Sequence, residues 1–261
     1  MKKNIKTFIV FLLLAIIVVF TGMVGIRLYE LHRSNSVIQE LRSEIKAQET
    51  GPVHEIEGSA EISEAEPETM FPSFLQAEND DFAAWITIPG TEIDYPVMLT
   101  PQNMEYYLSH DFRKNPSEYG TPFFDTRSAP LLTADSLLIY GHNMKDGTMF
   151  SELSKYTEEA FGTAHATITL SFPEETRTYQ LFSVLQISTD NDEEWSYYNC
   201  VGSLDAAQFE TYVQTFREKA LYSTEVQPRA GDQLLILSTC AYHAHNGRLL
   251  VVGCRISSNS I

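Results

Sequence analysis

The sequence predicts a mostly β fold with peripheral helices, because short β-prone apolar runs recur along residues 70–261 with Pro, Gly, Asn and Asp between them. This pattern favours an antiparallel or mixed barrel. One segment, Asp205 to Tyr222, instead has apolar residues at helical spacing, and Asp205 with Gln208 can supply its start signal. A second short helix is predicted over 72–82. The predicted strand-like runs are 84–88, 136–140, 167–170, 178–187, 233–237 and 248–256.

One principal folded unit is expected, because the chain has 261 residues and 43% hydrophobic content. The formal net charge of −17 argues against a nucleic-acid partner, since neutralising phosphates requires clustered Lys and Arg. The three cysteines are too few for a disulfide framework, and their odd number leaves at least one thiol free unless it pairs between chains. The free thiol is therefore a candidate for a chemical function.

The N-terminal segment has the pattern of a membrane anchor. Residues 8–26 form an uncharged apolar run, long enough at about 1.5 Å per residue to span a hydrocarbon core of roughly 30 Å. Lysines within residues 1–7 favour a cytoplasmic N-terminus. No clear Ala-x-Ala site follows the run, which favours an uncut anchor over a cleaved signal peptide. The expected localisation is therefore the cell membrane, with a single pass and with the folded domain outside the cell.

The region between the anchor and the folded domain is predicted to contain two parts within residues 27–69. The first has apolar residues at roughly helical spacing among charged ones, which indicates a juxtamembrane helix or self-association face, or a solvated stalk. The second, residues 49–69, is acidic, has no Lys or Arg, and lacks the apolar content needed for order. We interpret it as a linker that leads into the folded domain at 70–261.

Cys240 ends a buried strand-like run and is the candidate nucleophile. Arg248 opens the next apolar run after an Asn246-Gly247 turn signal, so pairing of the two runs returns it close to Cys240. A guanidinium beside a thiol favours the thiolate or the oxyanion of an acyl intermediate. The alternative is a loop arginine that merely faces water. A further arginine, Arg255, lies about 23 Å along an extended strand from Arg248 and fits poorly.

His142 is the best placed of the seven histidines to exchange a proton with that thiol. It follows the strand-like run 137–140 through Gly141, and imidazole is the side chain whose ordinary pKa lies near neutral pH. A hydrogen-bonded structural histidine is the alternative. A competing site is a Cys-x2-His-x-His zinc cluster of Cys240, His243 and His245, which has no clear fourth ligand.

Several ordered motifs resemble the class B sortases of Gram-positive bacteria, and together they span residues 71–256. Segment 237–240 followed by Arg248 looks like the active-site strand pair of that family, and segment 140–143 followed by 147–150 looks like the stretch that carries the catalytic histidine. Upstream, the resemblance also covers Trp85, 88–91, 93–96, 107–108 and 111–112.

The resemblance implies an eight-stranded β-barrel with N-terminal helices and a long helix between strands 6 and 7, which the segment 205–222 fits. It implies catalytic roles for Cys240, His142 and Arg248 in cysteine transpeptidation. A sorting signal on a surface protein or pilin would be cleaved after Thr through a thioacyl-enzyme. The acyl group would then pass to an amine of a cell-wall precursor or of a pilin Lys.

The resemblance also implies a peptide groove, although core packing is an equal explanation for its leucine and tyrosines. No cofactor and no metal are implied. The same residues would permit a thiol peptidase that hydrolyses its thioester, and a non-catalytic anchored binding module is a further alternative. The residues at groove-like positions are Asn103, Leu108, Tyr197, Tyr198 and Ser238.

Overall fold

The structure, a computed structural model, describes residues 2–49, 72–188, 196–240 and 247–256. The chain divides into two compact units, residues 1–52 and 53–261. The first contains one long helix, α1 (Lys2–Glu49). The predicted acidic linker lies outside the described residues, apart from its first residue.

The prediction of a single-pass membrane anchor at residues 8–26 is wrong. Within the part of the chain that the structure describes, no helix combines the length and the apolar character that crossing a membrane demands. The predicted orientation, with residues 1–7 cytoplasmic and the catalytic domain extracellular, depended on that anchor.

The described part of the second unit is a closed barrel of eight strands in the order β1-β2-β3-β4-β7-β8-β6-β5. Strands β2 and β3 pair in parallel, as do β4 and β7, and the other neighbours are antiparallel. The predicted mostly β fold with eight strands is thus confirmed. The strands are β1 (Phe82–Thr87), β2 (Asp94–Met98), β3 (Phe123–Phe124), β4 (Ser136–Tyr140), β5 (Thr167–Ser171), β6 (Thr176–Ser188), β7 (Leu234–Cys240) and β8 (Gly247–Arg255).

Helices precede the barrel and lie between its strands. α2 (Ser73–Glu78) precedes the barrel, α3 (Glu159–Ala164) precedes β5, and α4 (Ala206–Glu218) lies between β6 and β7. The long helix predicted between strands 6 and 7 is therefore present. Single turns of 3₁₀ helix lie at Tyr106–Leu108, Thr126–Ser128 and Tyr197–Asn199, and a longer one lies at Ser151–Thr157.

Helix α4 covers one face of the barrel and explains why β7 reads as a continuous apolar run. Phe209, Val213 and Phe216 of α4 share a buried cluster with Leu234 and Ile236 of β7. The intervening β7 residues are also buried, so both faces of the strand are covered and the sequence shows no alternation. The helix begins with the expected capping box, and it ends at Glu218, before the predicted end at residue 222.

Candidate active site

The ends of β7 and β8 bring Cys240 and Arg248 together. The two residues are direct partners in the antiparallel ladder, so their Cβ atoms lie about 4.5–5.5 Å apart. Cys240 is the last residue of β7 and is exposed, whereas the rest of that strand is buried. Arg255 lies at the other end of β8, where it forms an ion pair with Glu175.

His142 reaches the same edge of the barrel by way of β4. This strand runs parallel to β7 in a register that pairs Tyr140 with Ser238. His142 and Cys240 each come two residues after that pair, at the same ends of neighbouring strands, which lie about 4.8 Å apart. The strand register therefore places the three candidate residues, far apart in sequence, at the same edge of the barrel, where β4 and β7 end and β8 begins.

The backbone on either side of His142 is held closely. Gly141 donates its N–H to the carbonyl of Ser238 over 3.1 Å, and Phe150 donates its N–H to the carbonyl of His142 over 2.9 Å. A Cβ atom on Gly141 would lie 2.5 Å from the Phe150 ring. A glycine is required there because the aromatic ring packs directly on the backbone that leads into His142.

The imidazole of His142 is oriented by the carbonyl oxygen of Leu108, which lies 2.7 Å from its Nε2. A carbonyl can only accept, so Nε2 carries the hydrogen in this bond, and Nδ1 of a neutral ring remains as the acceptor. The sequence did not suggest this role for Leu108, because it is the backbone carbonyl of the residue, and not its side chain, that orients the imidazole.

Asn143 links the segment after β4 to the end of β7. Its side-chain Nδ2 donates to the carbonyl oxygen of Cys240 over 2.7 Å. The sequence did not predict a role for Asn143, and the position of this residue next to His142 in the motif is the signal that could have pointed to one.

A cluster of hydroxyl groups lies beside Arg248. The Tyr197 hydroxyl and Ser238 Oγ are 3.1 Å apart, and both side chains are buried. Burial raises the pKa of Tyr197, while hydrogen bonds with Ser238, Arg248 and Tyr140, and the charge of Arg248, oppose the rise. Two of the predicted groove residues thus contact each other, and one of them, Tyr197, lies close enough to the candidate catalytic arginine to feel its charge.

A buried carboxylate, Asp125, lies near this cluster and binds the hydroxyl of Tyr140. It accepts from Arg127 Nε over 2.8 Å and Nη2 over 2.6 Å, and from the Tyr140 hydroxyl over 3.1 Å. Burial alone would raise the pKa of Asp125, but hydrogen bonds from Arg127 and Tyr140 and the charge of Arg127 bring it below its ordinary value. The Arg127 guanidinium also lies 5.7 Å from the centre of the Tyr198 ring. No short motif in the sequence marks Asp125 or Arg127.

The remaining predicted groove residues lie on exposed surface. Tyr198 and Leu108 are both exposed, with relative accessibilities of 37% and 42%. Asn103 is exposed in the turn that leads to the Leu108 helix, where its carbonyl accepts from Tyr106 N–H over 3.0 Å. Exposed apolar and aromatic side chains of this kind are suited to contact an extended peptide.

The other two cysteines are poorly suited to act as the nucleophile. Cys200 and Cys254 are buried, and burial raises the pKa of both thiols, that of Cys254 to about 12. Of the proposed zinc ligands, His243 and His245 lie outside the described residues. Among the residues that the structure describes, no group of three or more potential ligands could hold a metal ion.

This geometry is suited to acyl transfer by a thiol. Cys240 supplies an exposed sulfur, Arg248 supplies a fixed positive charge on the adjacent strand, and His142 supplies an oriented imidazole. Such a set can attack a carbonyl, stabilise the resulting oxyanion and deliver a proton to the departing group.

Comparison with known proteins agrees with this chemistry. Residues 86–256 match the sortase domain family. Sortase B of Listeria monocytogenes is 33% identical over 181 residues, which cover 69% of this chain and 71% of that protein. Sortase B of Staphylococcus aureus is 28% identical over 182 residues, which cover 68% and 71% of the two chains.

Solved structures show the same fold. The crystal structure of Clostridium perfringens sortase B has a TM-score of 0.65 at 30% identity, and the match covers 71% of this chain and 99% of that one. A Staphylococcus aureus sortase B–substrate complex has a TM-score of 0.70 at 22% identity, and the match covers 88% and 99% of the two chains. The chain belongs to the sortase family of cysteine transpeptidases, in its class B.

Proposed function

We propose that this enzyme cleaves a sorting signal after Thr and transfers the new acyl end to an amine, with Cys240, His142 and Arg248 as its catalytic residues. The observation that carries this proposal is the strand register: Cys240 and Arg248 are ladder partners, and His142 follows the parallel strand on the other side of β7.

The reaction divides into two balanced steps. The reaction starts from a Cys240 thiolate and a protonated His142. The thiolate attacks the carbonyl carbon of Thr, and the scissile C–N bond breaks as His142 gives its proton to the departing amine. The thioester then accepts an incoming amine, which passes a proton to His142 while the thiolate leaves. Arg248 stabilises the oxyanion that forms in each step.

The substrate is proposed to lie along the exposed side chains beside the thiol. Leu108 and Tyr198 offer apolar and aromatic surface, Asn103 offers an amide, and the buried pair Tyr197 and Ser238 supports the floor near Arg248. One of the solved relatives is a sortase B bound to a substrate. We propose a surface protein or pilin as the donor of the sorting signal, and a cell-wall precursor or a pilin Lys as the acceptor.

The test is formation of a thioester on Cys240 with a library of Thr-containing sorting peptides, read by mass spectrometry of the intact protein. We expect the wild-type enzyme and a Cys254→Ala control to form the adduct and Cys240→Ala to form none. An adduct on Cys240→Ala would reject the assignment of the nucleophile.

Adding an amine separates a transferase from a peptidase. A transferase yields a ligated product in place of hydrolysed peptide when the amine is present, and we expect this product. Hydrolysis at an unchanged rate, without ligation, would establish a thiol peptidase in its place.

A further inference from the structure

The side chain of Asn143 connects the segment that carries His142 with the residue that carries the thiol. Its Nδ2 donates to the Cys240 carbonyl over 2.7 Å, although the two residues are 97 positions apart in sequence. We propose that Asn143 is a positioning residue that holds Cys240 at a fixed separation from His142. The proposal rests on the proposed function, since it concerns the same thiol and imidazole.

The position of this bond gives it a specific effect. The ladder between β4 and β7 ends at Tyr140 and Ser238, and Gly141 N–H then donates to the Ser238 carbonyl over 3.1 Å. Beyond that point, in the described part of the chain, the amide of Asn143 carries the connection one step further, to the Cys240 carbonyl. The bond therefore joins the two strand ends at the level of the reacting groups.

The other contacts of the His142 segment lead away from Cys240. Phe150 N–H binds the His142 carbonyl, and the imidazole binds the Leu108 carbonyl over 2.7 Å. Asn143 itself forms an isolated bridge with Met149. These contacts hold His142 in the domain, whereas Gly141 and Asn143 are the two residues of this segment that, in the described part of the chain, are shown bonded to the end of β7. Without the Asn143 amide, the separation of sulfur and imidazole can vary, and a displacement of about 1 Å can lower a rate by up to about a hundredfold.

Two substitutions remove the donor in different ways. Asn143→Leu has nearly the same size, no donor and no charge. Asn143→Asp is isosteric, and its carboxylate opposes the Cys240 carbonyl at neutral pH. Once protonated, near its ordinary pKa of about 4, the same carboxyl can donate to that carbonyl. Gln76→Glu, an exposed residue of α2, is the control for the change from amide to carboxylate.

The readouts are the kinetics of thioester formation and the rate of alkylation of Cys240 as a function of pH. We expect kcat/KM to fall about tenfold or more in both variants, through kcat and with little change in KM, which corresponds to about 1.4 kcal/mol or more of transition-state stabilisation. The kcat/KM of Asn143→Asp, and its rate of Cys240 alkylation, should approach the wild-type values measured at the same pH as the pH falls. A residue that merely stabilised the fold would change the melting temperature and would give no such recovery.

The outcomes separate this proposal from the proposed function. If the wild-type enzyme forms no thioester, the proposed function fails, and the alkylation profile of Cys240 still tests the Asn143 bond. Two results would overturn the positioning role. One is that Asn143→Leu has a kcat/KM and an alkylation rate within about twofold of wild type. The other is that the ratio of the Asn143→Asp rate to the wild-type rate does not change as the pH falls. If Asn143→Leu does not fold, the isosteric Asn143→Asp decides the question.

Discussion

Replacing Asp125 with Asn tests whether a buried ion pair supports the barrel edge beneath the active site. Asp125 is fully buried and accepts hydrogen bonds from the Arg127 side chain, the Arg127 backbone N–H and the Tyr140 hydroxyl. The substitution keeps the shape of the side chain but removes its charge. It also places an NH2 group, which can only donate, opposite the Arg127 and Tyr140 groups, which donate as well. Tyr140 lies two residues before His142, so the loss should also reach the site.

The magnitude follows from the number and exposure of these bonds. Hydrogen bonds to charged groups contribute about 1.5–3 kcal/mol each. The Arg127 side chain is 47% exposed, so water can replace part of the hydrogen bonding that its guanidinium loses. The Asn side-chain oxygen can still accept one of the hydrogen bonds that the carboxylate accepted. We expect the free energy of unfolding to fall by about 2–3 kcal/mol, less than for a fully buried pair. In a domain of this size the melting temperature should fall by about 5–10 °C.

The assay is urea unfolding followed by circular dichroism at several pH values, with the exposed Asp80→Asn variant as the control. The folded-state pKa of Asp125 lies below its ordinary value, so its carboxylate contributes stability that is complete above the unfolded pKa of about 3.9 and is lost as the pH falls through the folded value. The difference between wild type and Asp125→Asn should therefore be constant near neutral pH and shrink below about pH 4. A difference under about 0.5 kcal/mol at pH 7, or one that does not change on acidification, would refute the reasoning.

Further predictions concern the thiols and the immediate surroundings of the site. A thiol reagent should label the native protein at Cys240 alone, because burial raises the pKa of the other two thiols; mass spectrometry showing more than one label without denaturant would contradict this. Gly141→Ala should cost about 1–3 kcal/mol in urea unfolding and slow thioester formation, since its Cβ meets the Phe150 ring; unchanged stability and rate would argue against that close packing. Tyr197→Phe removes the hydroxyl that contacts Ser238 near Arg248, and kcat/KM should fall about tenfold. A change in kcat/KM of less than about twofold would contradict this.

The sequence predicted the limits of β4, β5 and β8 best, and it ended β7 three residues before its last residue, Cys240. The predicted limits of β4 agree with the structure, and β5 and β8 differ by one residue at the ends. β3 has two residues, too few to produce a pattern, and β2 contains Pro96, which reads as a break. The start of α4 was predictable because a capping box is a local signal.

The apolar composition of the N-terminal segment led to a wrong prediction. Its apolar run predicted a membrane anchor, and the structure overturns that prediction within its described residues. The predicted roles of Cys240, His142 and Arg248 remain proposals, whose geometry the strand register supports. The predicted zinc alternative depended on two histidines that lie outside the described residues.

The sequence by itself determined the mostly β class, the helix after β6, and which residue types could perform thiol chemistry, because these depend on local periodicity, capping and side-chain chemistry. Only the tertiary structure decided that β4 runs parallel to β7, that the Leu108 carbonyl orients His142, and that Asn143 binds the Cys240 carbonyl. Strand order and register are set by barrel closure and by packing between residues far apart in the chain, and no short stretch of sequence contains that information.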